Sequence, residues 1–339
     1  MGDPAGIGAE VVVAAAAQAR VRRACRLVVY GDEGVLDVAR RALGRRVAGP
    51  TAIDEVVGVT SLPLPRRAPT ASRRTAREPA GARGRAKPRT GRPRLPRPSR
   101  RAGRAAFAYL EAATAAVLDG RADALVTAPL NKLWLERAGY SYGGHTEYLS
   151  EVCGAPATMM LAGRKLRVVL ATTHIALADV SRRLSADAIV RAGAAVDAHL
   201  RRHHGLARPR LAMAALNPHG GEDGLFGDEE RRVLRPAATR LRRRGIEIDG
   251  PLPADTLFAS AVSGLYDAVL CMYHDQALIP LKLLDFGRAV NVSMGLPIVR
   301  TSPDHGTAYE IAGSGKADAT SMAEALVLAA DMARRAGDA

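Results

Sequence analysis

The chain has 339 residues, 47% of them hydrophobic, and a net charge of +15. That length suits one large α/β unit of two lobes, and no apolar run approaches the ~20 residues that cross a membrane. Cys25, Cys153 and Cys271 are scattered and odd in number, which argues against a disulfide framework; with no signal peptide in view, a reducing cytoplasm is the expected compartment.

The chain opens on a glycine-rich loop, Gly2-Asp3-Pro4-Ala5-Gly6-Ile7-Gly8, leading into a helix expected over 10–24. Free N–H groups at such a helix start can hold an anion, or the loop is simply a tight turn; it is not the G-x-G-x-x-G dinucleotide fingerprint. Residues 27–30 read as a strand turning at Gly31-Asp32, and 33–43 as a helix.

From Arg66 to Arg104 there are fourteen Arg and one Lys against a single acid, Glu78, so nearly all the net charge sits in this window. With six Pro and almost no large apolar side chains, the window cannot bury enough surface to offset its ordering entropy, and is expected to be disordered or poorly packed. A nucleic-acid-binding arm would be similarly basic, but no aromatic side chain is present to stack on a base, so nucleic acid is not an expected partner. A GC-rich gene read out of frame also yields Arg, Pro, Gly and Ala, which is a third reading of 66–104.

Ordered patterning resumes with a helix over 105–118, carrying Phe107, Leu110 and Val117 as apolar contacts, and a strand over 124–127 that ends in Ala128-Pro129-Leu130-Asn131-Lys132. Gly143-Gly144-His145-Thr146-Glu147 opens another helix, for which Thr146 is either the N-cap or a ligand contact. Residues 186–202 and 228–244 are amphipathic helices with solvated Arg faces, and 321–335 is the last helix.

Within this frame, three apolar runs stop within a few residues of a histidine: 168–171 before His174, 211–216 before His219, and 268–272 before His274. In α/β proteins such runs are buried parallel strands, and ligands gather outside their carboxyl ends. Three of the chain's eight histidines in one setting suit a divalent metal with three nitrogen ligands and open positions, although each taken singly also fits a hydrogen-bonded loop residue. Their gaps of 45 and 55 residues match no compact zinc-finger spacing, which leaves a catalytic site built from distant loops.

The first loop, Gly144-His145-Thr146-Glu147, Thr173-His174, Leu216-Asn217-Pro218-His219-Gly220-Gly221, Gly250-Pro251-Leu252-Pro253-Ala254-Asp255-Thr256, Met272-Tyr273-His274-Asp275-Gln276 and Arg300-Thr301-Ser302-Pro303-Asp304-His305-Gly306-Thr307 come in one order. Together they resemble the 4-hydroxythreonine-4-phosphate dehydrogenase family (PdxA) of vitamin B6 biosynthesis, over residues 1–57 and from Gly103 onward. The resemblance implies an isocitrate/isopropylmalate-dehydrogenase-like α/β fold, with two lobes around a central cleft, a mainly parallel sheet and lobes discontinuous in sequence. It implies a homodimer in which His174, His219 and His274 bind a divalent metal (zinc, magnesium or cobalt) shared between subunits. It also implies contacts to a small phosphorylated substrate from His145, Thr146, Lys282, Asn291 and Arg300. Asp304, His305, Gly306 and Thr307 resemble the loop that holds the adenosine side of NAD or NADP.

The residue chemistry is compatible with those roles. Lys282 and Arg300 are cations suited to a phosphate and a carboxylate, and Asn291 lies in an apolar strand where its amide needs a partner, ligand or backbone. The implied reaction is oxidation of 4-phosphooxy-L-threonine to 2-amino-3-oxo-4-phosphooxybutanoate, which decarboxylates to 3-amino-2-oxopropyl phosphate. His145, Asp275 and Lys282 are the candidates for its general base. A sister dehydrogenase of a four-carbon sugar-acid phosphate or an aromatic cis-dihydrodiol is the alternative. The chain departs from the family in its basic window and in lacking a strand ahead of the first loop, which leaves a natural start upstream of Met1 as an open reading.

Overall fold

The structure, a computed structural model, describes residues 1–47, 53–64 and 94–337; residues 66–93, and the readings made of them, lie outside the described residues. Helices α1 (Gly8–Ala16) and α2 (Ala19–Ala24) precede β1 (Val28–Gly31), α3 (Glu33–Leu43) and β2 (Glu55–Gly58). Next come α4 (Arg100–Leu118), β3 (Ala124–Val126), α5 (Lys132–Arg137), α6 (His145–Val152), β4 (Thr158–Ala162), β5 (Arg167–Leu170), α7 (Val180–Arg183) and α8 (Ala186–His204). The chain continues through β6 (Leu211–Ala214), α9 (Arg235–Arg243), β7 (Ile248–Leu252), α10 (Ala254–Val262), β8 (Ala268–Cys271) and α11 (His274–Asp285). It closes with β9 (Val290–Met294), β10 (Val299–Pro303) and α12 (Thr320–Gly337).

Eight strands form one sheet in the order β3-β10-β9-β4-β5-β8-β6-β7, and β1 pairs with β2 apart from it. Among the described residues, five of eight strand pairings are parallel, and the three antiparallel ones all involve β4 or β9. The mainly parallel sheet expected from the sequence is therefore present.

The apolar runs are continuous because both faces of the sheet are covered. Val169, Leu270 and Met213 pack with Ile189 and Val196 of α8, whereas Val168, Val269 and Ala212 pack with Leu257 of α10 and Leu281 of α11. Successive residues of a strand point to opposite faces, so each run must be apolar at every position. A separate cluster joins Val11 and Leu36 to Met322 and Leu326, drawing on both ends of the chain.

Most expected boundaries agree to within two residues, and three differ by more. The helix expected over 10–24 is two, broken at Gln18, whose backbone is extended. The helix expected from Ala105 begins at Arg100, with the Ser99 hydroxyl accepting from the Ala102 N–H at 3.2 Å. Arg100, Arg101 and Arg104 stay exposed while Ala102 and Gly103 are buried, so the last part of the basic window is an ordinary amphipathic turn rather than unpacked chain. Gly103 is needed there: a Cβ would lie 2.2 Å from the Trp134 carbonyl oxygen.

The helix expected over 228–244 opens with a wider turn at Glu230–Leu234, which precedes α9. The buried Glu230 carboxylate accepts N–H groups of Leu216 and Asn217, each at 2.8 Å, and thereby holds the chain leaving β6. Among the described residues, no helix is long and apolar enough to cross a membrane.

Candidate functional site

Strands β5, β8 and β6 are adjacent and parallel, so their carboxyl ends share one edge of the sheet. His174 follows β5, and His274 is the first residue of α11 after β8; their ring centroids stand 5.7 Å apart. His274 Nδ1 lies 2.7 Å from Asp275 Oδ1, a carboxylate that fixes the ring's orientation and leaves Nε2 to face a ligand. Burial, then Lys132 and then His274, push the His174 pKa below the ordinary histidine value, which keeps its imidazole neutral at neutral pH.

His219 does not join that pair. After β6, residues 219–223 all have positive φ, between 42° and 84°, and the loop carries His219 outward to face Phe226 at 6.4 Å between ring centroids. Gly220 and Gly221 adopt this conformation without penalty, but His219, Glu222 and Asp223 are strained in it. Among the described residues, no group of three or more His, Cys, Asp or Glu is placed to hold a metal within the chain.

Arg300 and Asn291 lie on one face of the β9–β10 pair, since Ser302 sits opposite Asn291 in an antiparallel register. The Arg300 guanidinium is only 2% exposed and donates to Thr127 Oγ1 at 2.7 Å and Ser293 Oγ at 3.0 Å, while its Nε has no partner among the described residues. No carboxylate of the described residues pairs with it, and burial pushes its pKa down to about 10. The Asn291 side-chain oxygen is likewise buried without a partner, so the backbone does not satisfy it. Two unspent polar groups on one face point to a ligand.

His145, at the start of α6, is held neutral by burial first, then by the charges of Arg300, the N-terminal amine and Lys132. The N-cap of α6 is Gly144, so Thr146 is not the cap. Lys282 Nζ lies 3.1 Å from Asp304 Oδ2, which ties an expected substrate residue to an expected cofactor residue.

The first loop and the loop after β10 are docked on each other. Ile7 N–H donates to the Thr307 carbonyl at 2.9 Å, and Tyr309 donates its hydroxyl hydrogen to Asp3 Oδ2 at 2.5 Å. A Cβ on Gly6 would sit 2.8 Å from that same Thr307 oxygen. With Ala5 N–H on Asp3 Oδ1 and Gly6 N–H on Asp3 O, three amides that could have held an anion are already used, and the tight-turn reading of this loop prevails.

Sequence reasoning missed Thr127, Ser293 and Lys132. The first two are small hydroxyl side chains whose value lies only in facing Arg300 across the sheet. Lys132 did carry a signal, a cation just past the end of β3; that strand runs opposite to β5, yet the ammonium comes near enough to His174 for its charge to lower that ring's pKa.

Comparison with known proteins follows the same lines. The family profile of pyridoxal phosphate biosynthetic protein PdxA matches residues 23–329. The chain is 45% identical over 352 residues to the 4-hydroxythreonine-4-phosphate dehydrogenase of Geobacter metallireducens, covering 99% of this chain and 95% of that protein. Among solved structures, the 4-hydroxythreonine-4-phosphate dehydrogenase of Klebsiella pneumoniae aligns with a TM-score of 0.79 at 39% identity, over 98% of this chain and 96% of that one. A terephthalate 1,2-cis-dihydrodiol dehydrogenase of Burkholderia xenovorans aligns less well, with a TM-score of 0.61 at 30% identity over 97% and 96%.

Proposed function

The chain belongs to the PdxA family of pyridoxal phosphate biosynthetic proteins, with its isocitrate/isopropylmalate-dehydrogenase-like fold, and on that premise we propose that it is a cytoplasmic homodimer that oxidises 4-phosphooxy-L-threonine with NAD or NADP. The carrying observation is Arg300, a buried cation without a carboxylate among the described residues, which suits an anionic group, beside the unpartnered Asn291 oxygen, which suits a hydroxyl or ammonium hydrogen of the same small substrate. Lys282 supplies a second cation and Thr146 a hydroxyl toward the same substrate. His174 and His274 suit a divalent cation, since both present imidazoles at one strand edge; zinc and cobalt favour such ligands, and magnesium would be held there chiefly through water and substrate oxygens. The third ligand comes across the dimer, the partner subunit's His219. Exposed Ile279, Leu283 and Phe286 on and after α11, together with Leu225 and Phe226 beside His219, supply the apolar surface that a second copy would cover. When bound, the cation supplies Lewis-acid polarisation of the C3 oxygen and the dinucleotide, at the loop of Asp304, His305, Gly306 and Thr307, supplies the hydride acceptor.

Of the three base candidates, Asp275 is engaged in orienting His274 and Lys282 is held by Asp304. His145 is neutral and free to accept the hydroxyl proton. Burial is the main cause of the His145 depression, and an anion bound at Arg300 offsets only the part that Arg300's charge adds, so its pKa is expected to rise on substrate binding. NMR titration of the His145 ring with and without substrate measures this; a pKa that stays put removes His145 as the base.

The reading is tested by following dinucleotide reduction on a panel of 4-phosphooxy-L-threonine, threonate phosphate and terephthalate dihydrodiol. Chelation is expected to abolish activity with the first substrate, and added zinc, magnesium or cobalt to restore it. His219→Ala is expected to lose at least ~10²-fold. Preference for either other substrate overturns the proposed reaction, and full activity of His219→Ala removes that residue from the site.

A further inference from the structure

A cavity of about 830 Å³ lies between α3, residues 94–102 and the loop around Tyr309, within the size range of small-molecule and cofactor sites. Among the described residues, four arginines line it: Arg41 from α3, Arg94 and Arg97 from the chain ahead of α4, and Arg101 from its first turn. None of the four pairs with a carboxylate of the described residues, whereas Arg40, beside Arg41, is paired with Asp37 at 3.0 Å. Four like charges around one hollow repel each other until an anion enters. The amino end of the 19-residue α4 opens onto the same space at Ser99, adding the partial positive charge of the first-turn N–H groups that the Ser99 cap of Ala102 leaves over.

The opposite wall is small and firmly set. Ala312 and Gly313 line the cavity, and Leu95 would touch a Gly313 Cβ at 3.6 Å. Two residues on, a Cβ on Gly315 would be 2.3 Å from the Ala42 oxygen, and Arg46 Nη1 donates to the Gly315 carbonyl at 2.7 Å, so α3 and this loop are locked together. Apolar Leu62 and Pro63 add a surface suited to a ribose or base next to a phosphate.

We propose that this cavity seats the phosphate-bearing part of the dinucleotide, with Arg41, Arg94, Arg97 and Arg101 as the groups that hold its phosphate oxygens. The inference rests on the dehydrogenase reading, and it assigns cofactor contacts to residues outside 304–307. The shared chemistry is a phosphate ester, either the diphosphate bridge common to NAD and NADP or the 2′-phosphate of NADP alone.

The test is calorimetric binding and steady-state kinetics of both dinucleotides on the full-length protein and on Arg97→Gln, Arg101→Gln and the double variant, with Arg240→Gln, taken from an ion pair with Asp187, as a charge control. Dissociation constants and KM for the dinucleotide are expected to rise roughly tenfold per substitution and roughly a hundredfold in the double variant, with a smaller effect on kcat, and with the parent's salt sensitivity diminished. A rise for both dinucleotides assigns the diphosphate, and a rise for NADP only assigns the 2′-phosphate. Unchanged affinity for both, in variants whose circular dichroism matches the parent, overturns the proposal. Inorganic pyrophosphate titrated against dinucleotide on the unaltered protein gives a second readout: competition is expected, and simultaneous binding overturns it. Dinucleotide binding that is arginine-dependent without turnover of 4-phosphooxy-L-threonine would overturn the substrate assignment and leave this site standing.

Discussion

Arg300→Met is expected to lose about 10²–10³-fold in kcat/KM while its melting temperature rises by about 2–4 °C. The two effects have one cause. A guanidinium that is 2% exposed has given up its hydration, and its two hydrogen bonds to Thr127 and Ser293 are to neutral hydroxyls rather than to a counterion. Burying a charge without a counterion costs several kcal/mol, of which the hydroxyl partners recover only a part. Methionine fills a similar volume, removes the desolvated charge and leaves two hydroxyls to find other partners, for a net gain of about 1–2 kcal/mol. On the proposed function the anionic substrate is the missing counterion, so substrate is expected to stabilise the parent protein and not the variant. Thermal denaturation with and without substrate, alongside steady-state kinetics, checks both halves. A variant that melts well below the parent, or that keeps its kcat/KM, contradicts this account.

How much of this could be seen in the sequence depends on how local the cause is. The strand ends before His174, His219 and His274 were legible because a strand covered on both faces must be apolar throughout, and a polar residue then marks where it leaves the core. Helix α3 was legible to the residue, since Asp32 caps it and Gly44 follows it. The early start of α4 was not, because seven consecutive residues ending at Arg104 include only small or basic side chains, and their burial depends on α5 lying against Gly103. The outward course of His219 was hidden for a similar reason. Two glycines announce a turn, but the left-handed run of five residues is set by how Glu230 grips the main chain of Leu216 and Asn217 from another element. Motif order identified the family, whereas the separation of His219 from the other two histidines belongs to tertiary structure.

Acid sensitivity should centre on a histidine cluster to which the proposed reaction assigns no role. His199, His203 and His204 crowd the carboxyl end of α8, with ring centroids of His199 4.8 Å from His203 and 5.5 Å from His204. Burial first, then His203, His204 and Arg167 of β5, push the His199 pKa down to about 3; burial, Arg167, His203 and Arg335 of α12 push His204 down to about 4. The carboxylate of Asp197, on the same helix, is engaged with Arg201 at 2.8 Å. A histidine whose folded pKa is depressed binds its proton more readily when unfolded. Its contribution is therefore fully present above the unfolded value of 6.5 and is lost as pH falls below it, continuing toward the folded values. At pH 5, which is 1.5 units below 6.5, His199 alone should have cost the folded state about 2 kcal/mol relative to neutral pH. Asp3 and Glu10, raised by burial, act with the opposite sign, so the clean measurement is a comparison in which they cancel. Urea midpoints of the parent and of His199→Leu at pH 7.5 and pH 5 provide it: the leucine variant should gain about 2 kcal/mol on the parent between the two conditions, and His199→Leu/His204→Leu more. Parallel loss of stability in parent and variant would mean that the cluster takes up its protons as easily folded as unfolded.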